Sequence, residues 1–140
     1  MSTLDPAEAR RRFTEGRVAR MGTVGADGRP HVVPVVFAVD GDAVFSLVDA
    51  KPKRSPNLKR LANIAANPRV SLLVDRYEED WRALWWVRVD GTASVEEGPD
   101  RDRAIELLGA KYDQYREWNT PFGPAVVVRV DRWSSWSFSP

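Results

Sequence analysis

The clearest pattern in the chain is a run of alternating apolar and polar residues at positions 85–95. Side chains that alternate with a period of two are typical of a β-strand that is buried on one face. The apolar face of this run holds Trp85, Val87, Val89, Ala93 and Val95. Further strands are predicted at 18–24, 31–39, 43–48, 70–74 and 125–138, where β-branched and other apolar residues are bounded by turn residues.

Three short helices are predicted between these strands. The first begins after Asp5, which can cap it, with Pro6 at the first helical position, and it ends near Gly16. The second spans about 55–68, where apolar residues recur at i, i+3, i+4 and i+7. The third begins at Pro99 and carries a stripe of Ala104, Leu107, Leu108, Lys111, Tyr112 and Tyr115.

The turns between consecutive strands decide the sheet type. Asp27-Gly28 and Asp40-Gly41 are too short for the crossover that parallel strands need, so antiparallel pairing is predicted. The chain of 140 residues carries no internal repeat or linker and fits a single domain over 1–140. We therefore predict a mainly β fold, a small antiparallel barrel with peripheral helices.

The composition excludes several kinds of chemistry. The chain has no Cys and one His, His31, which excludes disulfides, thiolate nucleophiles and sites built from several His residues. The net charge of +1 argues against a general polyanion binder such as a nucleic-acid-binding protein, and no metal site is predicted. If the protein is an enzyme, a cofactor is expected to carry its chemistry. No apolar run is long enough to cross a membrane, so a cytoplasmic protein is expected.

The charges are nevertheless unevenly distributed. No acidic residue lies between Asp49 and Asp75. This window contains Lys51, Lys53, Arg54, Lys59, Arg60 and Arg69. Basic side chains ahead of a helix N-terminus form a natural site for phosphate or carboxylate. The alternative is a solvated basic surface that pairs with nearby acids, and spacing alone leaves both interpretations open.

Trp86 is the second feature that points to binding. It lies on the polar face of the 85–95 strand, together with Arg88. A large aromatic side chain on an exposed face indicates a subunit interface or a flat ligand. The lone His31 is interpreted as a structural or surface residue rather than a catalytic one.

Two stretches together resemble a known family. They are residues 28–41, GRPHVVPVVFAVDG, followed by the basic segment KPKRSPNLKRLANI at 51–64, and the strand WWVRVDG at 85–91. They resemble the pyridoxamine-phosphate-oxidase-like split β-barrel proteins, which bind FMN or related cofactors. More narrowly, they are similar to the small members that use the deazaflavin coenzyme F420. The resemblance covers about residues 5–138.

This resemblance implies a homodimer with an isoalloxazine-type ring at the subunit interface. The residues implied to line the ring are Pro34, Val35, Val36 and Phe37, with Ser46 and Val48 on the neighbouring strand. The residues implied to hold the phosphate are Lys51, Lys53, Arg54 and Asn57. Lys59 and Arg60 are implied to reach a polyglutamate tail, and Trp86 resembles the position from which the other subunit touches the ring.

The expected function is therefore hydride transfer between coenzyme F420 and a small organic substrate. FMN as the cofactor is the alternative within the same fold, and a carrier that binds the cofactor without turnover is another. A dimeric domain that binds an anionic partner is a third. No side chain is assigned a catalytic role, although Tyr112, Tyr115 or a water molecule are candidates for protonating the product.

Overall fold

The computed structural model describes residues 1–49, 56–117 and 122–140. Within these ranges the chain forms seven strands, four α-helices and a 3-10 turn at Trp81–Ala83. The helices are α1 (Pro6–Glu15), α2 (Pro56–Ala66), α3 (Pro99–Lys111) and α4 (Asp113–Arg116). The strands are β1 (Ala19–Val24), β2 (Pro30–Val35), β3 (Ala38–Asp40), β4 (Ala43–Asp49), β5 (Arg69–Arg76), β6 (Trp85–Glu96) and β7 (Phe122–Ser137).

All strand pairs are antiparallel, in the order β2-β1-β5-β6-β7-β4-β3. The two edge strands, β2 and β3, are consecutive in the chain and are separated only by Val36 and Phe37. One bent segment of chain therefore forms both edges of the sheet, so the edges lie next to each other and the sheet curls into a barrel, with no strand pairing between β2 and β3 among the described residues. This confirms the predicted mainly antiparallel β fold with helices around it.

The barrel interior is filled from the sheet and from two helices. Phe13 of α1 and Ile64 of α2 join the strand residues in one buried cluster. The Phe13 ring centroid lies 5.0 Å from that of Phe37 and 5.5 Å from that of Trp133. A second cluster packs Ala104 and Leu108 of α3 against the outside of the sheet near β4 and β7.

Local sequence signals placed the ends of α1 correctly. The Asp5 carboxylate accepts hydrogen bonds from the backbone N–H groups of Ala7 and Glu8 at 3.2 and 3.4 Å, and Gly16 caps the other end. None of the described helices is long and apolar enough to cross a membrane.

Three predictions about individual elements were wrong. The strand predicted at 31–39 is two strands, because the chain bends at Val36 and Phe37 to pair with β1 on one side and β4 on the other. The third helix ends at Lys111, so Tyr115 belongs to the separate helix α4. Val95 was expected on the buried, apolar face of its strand but is 40% exposed, because the pairing of β5 with β6 ends at Thr92 and, among the described strands, Val95 has a neighbour only on the β7 side.

Candidate cofactor site at the bend between two strands

The bend between β2 and β3 carries the residues that the resemblance assigns to a flavin-type ring. Pro34 is exposed, Val36 is half-buried, and the Val35 side chain is buried inside the barrel. The Phe37 side chain is fully buried against Phe13. The bend therefore leaves the Pro34 side chain, and the part of Val36 that is not packed against the cluster around α3, as a small apolar surface, while Phe37 supports the bend from inside the core.

The backbone of Phe37 is held by two residues from the end of α3. Its N–H group donates to the Tyr112 hydroxyl at 3.3 Å, and its carbonyl oxygen accepts from the Lys111 ammonium at 2.9 Å. The Lys111 ammonium also donates to the carbonyl of Thr14 at 3.0 Å and lies 3.9 Å from the Phe37 ring centroid. These bonds fix the bend, so the apolar surface has a defined shape without a ligand.

Burial shifts the pKa values of both clamping groups. It lowers the pKa of Lys111 to about 8, with a further contribution from the positive charge of Arg17. Burial also raises the pKa of the Tyr112 hydroxyl, although the hydrogen bond with the Phe37 backbone acts to lower that pKa. The Tyr112 hydroxyl is buried and is already engaged by the Arg17 carbonyl at 2.9 Å. It therefore does not fit the expected role of proton donor to a product.

Ser46 and Val48 lie on β4, the strand that pairs with β3. Both are buried, and Val44 and Val48 of the same strand belong to the cluster inside the barrel. Ser46 shares their face because side chains two residues apart in a strand point the same way. Its hydroxyl is thus a polar group on the inner side of the sheet.

The structure tests the basic segment only in part. Lys51, Lys53 and Arg54 lie outside the described residues, and Asn57 is described only as part of the α2 backbone. Lys59 is exposed on α2, whereas the neighbouring Arg60 is only 4% exposed. The two basic residues expected to act together therefore occupy different environments.

Helix α2 is attached to the barrel by a buried polar contact. The Asn63 side-chain amide donates to the Thr23 hydroxyl at 3.0 Å, and both residues are buried. Gly25 leaves room for this contact, because a Cβ atom there would lie 2.9 Å from the Asn63 side-chain oxygen. The contact fixes the position of the helix that follows the basic segment.

Trp86 lies on the outer face of β6, as its place in the alternating pattern predicted. It is half-buried, it stands opposite Trp136 of β7, and the Arg88 guanidinium lies 5.7 Å from its ring centroid. Trp85 points the other way and packs against the interior cluster. The outer face of β6 therefore presents a pair of tryptophans, the kind of surface that a second subunit or a flat ligand can cover.

Sequence reasoning missed the clamp formed by Lys111 and Tyr112. It identified both residues as part of a helical stripe but not as partners of Phe37, which lies 74 and 75 residues earlier in the chain. Asn63 was also missed, because a single polar residue beside the apolar face of α2 is an ordinary helical pattern.

Comparison with known proteins agrees with this architecture. The sequence profile of the family described as pyridoxamine 5'-phosphate oxidase matches residues 6–137. A FAD-binding protein from Mesorhizobium loti has 25% sequence identity and a TM-score of 0.71, covering 96% of this chain and 93% of that one. The heme storage protein HutZ from Vibrio cholerae has 19% identity and a TM-score of 0.68, covering 94% and 93% of the two chains, which shows a shared fold.

A curated relative adds an activity to the comparison. The 5a,11a-dehydrotetracycline/5a,11a-dehydrooxytetracycline reductase of Streptomyces rimosus is 32% identical over 85 residues, which are 60% of this chain. The matched part spans 58% of the length of that reductase. The match of the family profile to nearly the whole chain, together with the antiparallel barrel, shows that the protein belongs to the pyridoxamine 5'-phosphate oxidase family.

Proposed function

We propose that the protein is an oxidoreductase that binds the deazaflavin coenzyme F420 and moves a hydride between it and a small organic substrate. The observation that carries the proposal is the clamped bend at Val36 and Phe37, in a chain whose basic segment begins directly after β4. β4 pairs with β3, so the bend lies at the start of the strand next to β4, the strand after which this segment follows in the sequence. The reductase relative supports the reaction class.

The residues present fit a flat ring with an anionic tail. Pro34 and Val36 provide an apolar surface, and the clamp from Lys111 and Tyr112 holds that surface in place. Lys51, Lys53 and Arg54 supply the positive charge that a phosphate requires. A deazaflavin tail carries more negative charge than the single phosphate of FMN, so Lys59, a further basic residue that is exposed on α2, favours the deazaflavin.

The protein's part in the reaction is binding and orientation. The bound cofactor supplies the carbon atom that gives or accepts the hydride, which is why the chain needs no Cys and no second His. The apolar side chains of Pro34 and Val36 exclude water from one side of the ring position. In this proposal the cofactor lies between two copies of the chain, and Trp86 of the partner subunit closes the other side of the ring.

Fluorescence titration of the full chain with coenzyme F420 and with FMN tests the proposal. We expect coenzyme F420 to bind with a Kd below about 100 μM, which corresponds to roughly −5.5 kcal/mol, and more tightly than FMN. The Lys53→Ala/Arg54→Ala variant should bind it at least about tenfold more weakly, because two charged contacts to the phosphate are lost. Arg29→Ala, an exposed arginine in the β1–β2 turn, is the matched control and should bind normally.

The results also separate the alternatives. Tighter binding of FMN would reassign the cofactor, and failure of both to bind would overturn the oxidoreductase proposal. Normal affinity in the Lys53/Arg54 double variant would show that the phosphate lies elsewhere.

A cofactor carrier without turnover is the second candidate. One observation favours it. The Tyr112 hydroxyl already donates to the Arg17 carbonyl and accepts from the Phe37 N–H group, so Tyr112 cannot serve as a proton donor at the bend. Reduced coenzyme F420 mixed with a panel of unsaturated acceptors distinguishes the two. Oxidation of the cofactor that depends on the protein supports the enzyme, and tight binding without oxidation of the cofactor supports the carrier.

A further inference from the structure

A second cleft, which the site above does not use, opens beside the same bend. It has a volume of about 660 Å³ and lies between the end of α1, the start of β1, the end of β5 and residues 82–85. Cavities of this size accommodate small organic ligands. Among the residues that the structure describes, six arginines line it: Arg11, Arg12, Arg17, Arg20, Arg76 and Arg82.

Four of these six arginines are neutralised by neighbouring acids. Arg11 and Arg12 pair with Glu8 at 2.5 and 2.8 Å. Arg76 and Arg82 pair with carboxylates of their own loop, Glu78 at 2.9 Å and Asp80 at 3.0 Å. Their charge is therefore already compensated within the protein.

Arg17 and Arg20 are not neutralised by acidic side chains in this way. Within the part of the chain that the structure describes, neither forms an ion pair. Arg17 lies over the Tyr112 ring, 4.4 Å from its centroid, and donates to the Lys111 carbonyl at 3.1 Å, while Arg20 is an exposed side chain. Of the two acidic side chains among the described residues that line the cleft, Glu15 is paired with Arg11 at 2.7 Å, which leaves Asp75 near these two cations. Among its described side chains the cleft therefore has two cations without an ion pair, Arg17 and Arg20, against one such carboxylate, Asp75.

The remaining wall is apolar and partly aromatic. Val18, Val74, Leu84 and Trp85 line it, and the Arg12 guanidinium lies 5.3 Å from the Trp85 ring centroid. An inorganic anion would gain nothing from such a wall, whereas the flat body of an organic anion would bury apolar surface against it. The combination of wall and charge indicates a planar organic molecule with one anionic group.

The cleft is next to the proposed ring position. In the β1–β2 register Arg20 stands directly opposite Pro34, and Ala19 stands opposite Val35. Opposed residues in antiparallel strands are about 4.5–5.5 Å apart. A ligand held by Arg20 would therefore lie alongside the apolar surface of the bend.

We propose that this cleft is the substrate subsite and that it takes planar organic anions, with Arg20 holding the anionic group and Arg17 adding to the positive field. The assignment as a substrate subsite rests on the proposed function. The anion site itself does not, since it is defined by residues of this chain without a cofactor.

A pair of dyes that differ in charge tests the site on the full chain without cofactor. The probes are 1-anilinonaphthalene-8-sulfonate, a planar anion, and N-phenyl-1-naphthylamine, which has the same ring system without the sulfonate. We expect Arg20→Gln to weaken binding of the sulfonate at least about fivefold, because a charge-assisted contact is lost. Binding of the neutral dye should change less than about twofold, since apolar burial is unaffected. Arg20→Lys should restore most of the sulfonate affinity because it retains the charge.

Arg29→Gln, which removes an exposed arginine outside the cleft, is the matched control and should bind both dyes as the wild type does. Equal loss of both dyes in Arg20→Gln would mean that the substitution altered the wall rather than the charge, and would overturn the proposal. Unchanged sulfonate affinity in Arg20→Gln would also overturn it.

Titration of the dye-loaded protein with coenzyme F420 separates the subsite from the cofactor site. Retention of the sulfonate dye while the cofactor binds supports a separate substrate subsite. Displacement of the dye by the cofactor would assign the cleft to the cofactor and overturn the substrate assignment. If neither coenzyme F420 nor FMN binds while the dependence on Arg20 persists, the proposed function is wrong and the anion site stands.

Discussion

The Tyr112 hydroxyl lies 3.3 Å from the backbone nitrogen of Phe37 and 3.1 Å from its carbonyl oxygen, so one phenol spans the bend that closes the barrel. A phenol has a single proton to donate. Its shortest contact is to the Arg17 carbonyl at 2.9 Å, which leaves the Phe37 carbonyl to the Lys111 ammonium, also at 2.9 Å. The two side chains thus satisfy different backbone groups and complement each other.

Replacing Tyr112 with Phe should destabilise the protein by about 1–3 kcal/mol. The substitution keeps the ring but leaves the Phe37 N–H group and the Arg17 carbonyl without the hydroxyl, and an unsatisfied buried polar group costs an amount of this order. Urea unfolding measures the change. Tyr77→Phe is the matched control, because Tyr77 is 62% exposed, and it should unfold with the wild-type midpoint. A wild-type midpoint for Tyr112→Phe would show that the hydroxyl does not hold the bend.

The lowered pKa of Lys111 should make the free energy of unfolding depend on pH. The folded-state pKa is about 8, below the ordinary value of 10.5, so the unfolded chain binds more protons than the folded chain between these two values. The free energy of unfolding therefore gains a contribution from Lys111 as pH rises from about 8 to 10.5. Below pH 8 both states carry the charge and this contribution is constant.

Urea unfolding of the wild type and Lys111→Met at several pH values between 7 and 10 measures this contribution. The difference in stability should shift in favour of the wild type above pH 8 and stay level below it. Lys59→Met, which removes an exposed amine, is the matched control. A difference between wild type and Lys111→Met that is constant from pH 7 to pH 10 would contradict the lowered pKa.

Local signals were sufficient to predict the sheet type. The Asp40-Gly41 turn leaves no room for a crossover, and Gly41 has a φ of +60° that suits glycine in a tight turn. The break at Val36 and Phe37 could not be predicted in the same way, because the apolar run continues through it. The first half of this run pairs with β1 and the second half with β4. These pairings depend on the order of strands in the whole sheet, which is not a local property of the sequence.

The candidate site likewise has some features that the local sequence predicts and others that depend on long-range packing. The basic residues after β4 could be identified because they are neighbours in sequence and their charges reinforce each other. The position of Arg20 opposite Pro34 depends on strand register, and the clamp on Phe37 depends on where α3 packs. Neither relation has a counterpart in the local sequence.

The contact between Asn63 and Thr23 should couple α2 to the barrel energetically. Asn63→Leu would leave the Thr23 hydroxyl buried without this donor, and Thr23→Val would leave the Asn63 amide without this acceptor. We expect each single variant to lose about 1–3 kcal/mol, and the double variant to lose less than the sum. A double-mutant cycle by urea unfolding measures the coupling, and additive losses would show that the two side chains act independently.

Gly91 should be the glycine at which a methyl group is least tolerated, because a Cβ atom there would meet the backbone of β7. A Cβ atom at this position would lie 2.3 Å from the Arg129 carbonyl oxygen and 3.0 Å from its carbonyl carbon. The obstacle is backbone, and the β6–β7 register shifts between Asp90 and Gly91, so the strands would have to separate at an irregularity in their longest pairing. Overpacking of this kind costs about 1–3 kcal/mol or more.

Gly91→Ala should therefore lower the urea midpoint clearly, whereas Gly22→Ala should change the free energy of unfolding by less than about 0.5 kcal/mol. Gly22 is the matched control, since it also lies in a strand but its nearest neighbour, the Ser71 carbonyl oxygen, would be at 3.9 Å. Hydrogen exchange of the β6 and β7 amides gives a second readout, because separation of the strands speeds exchange there first. Equal midpoints and equal exchange for the two variants would mean that β7 can move away from β6 at no cost.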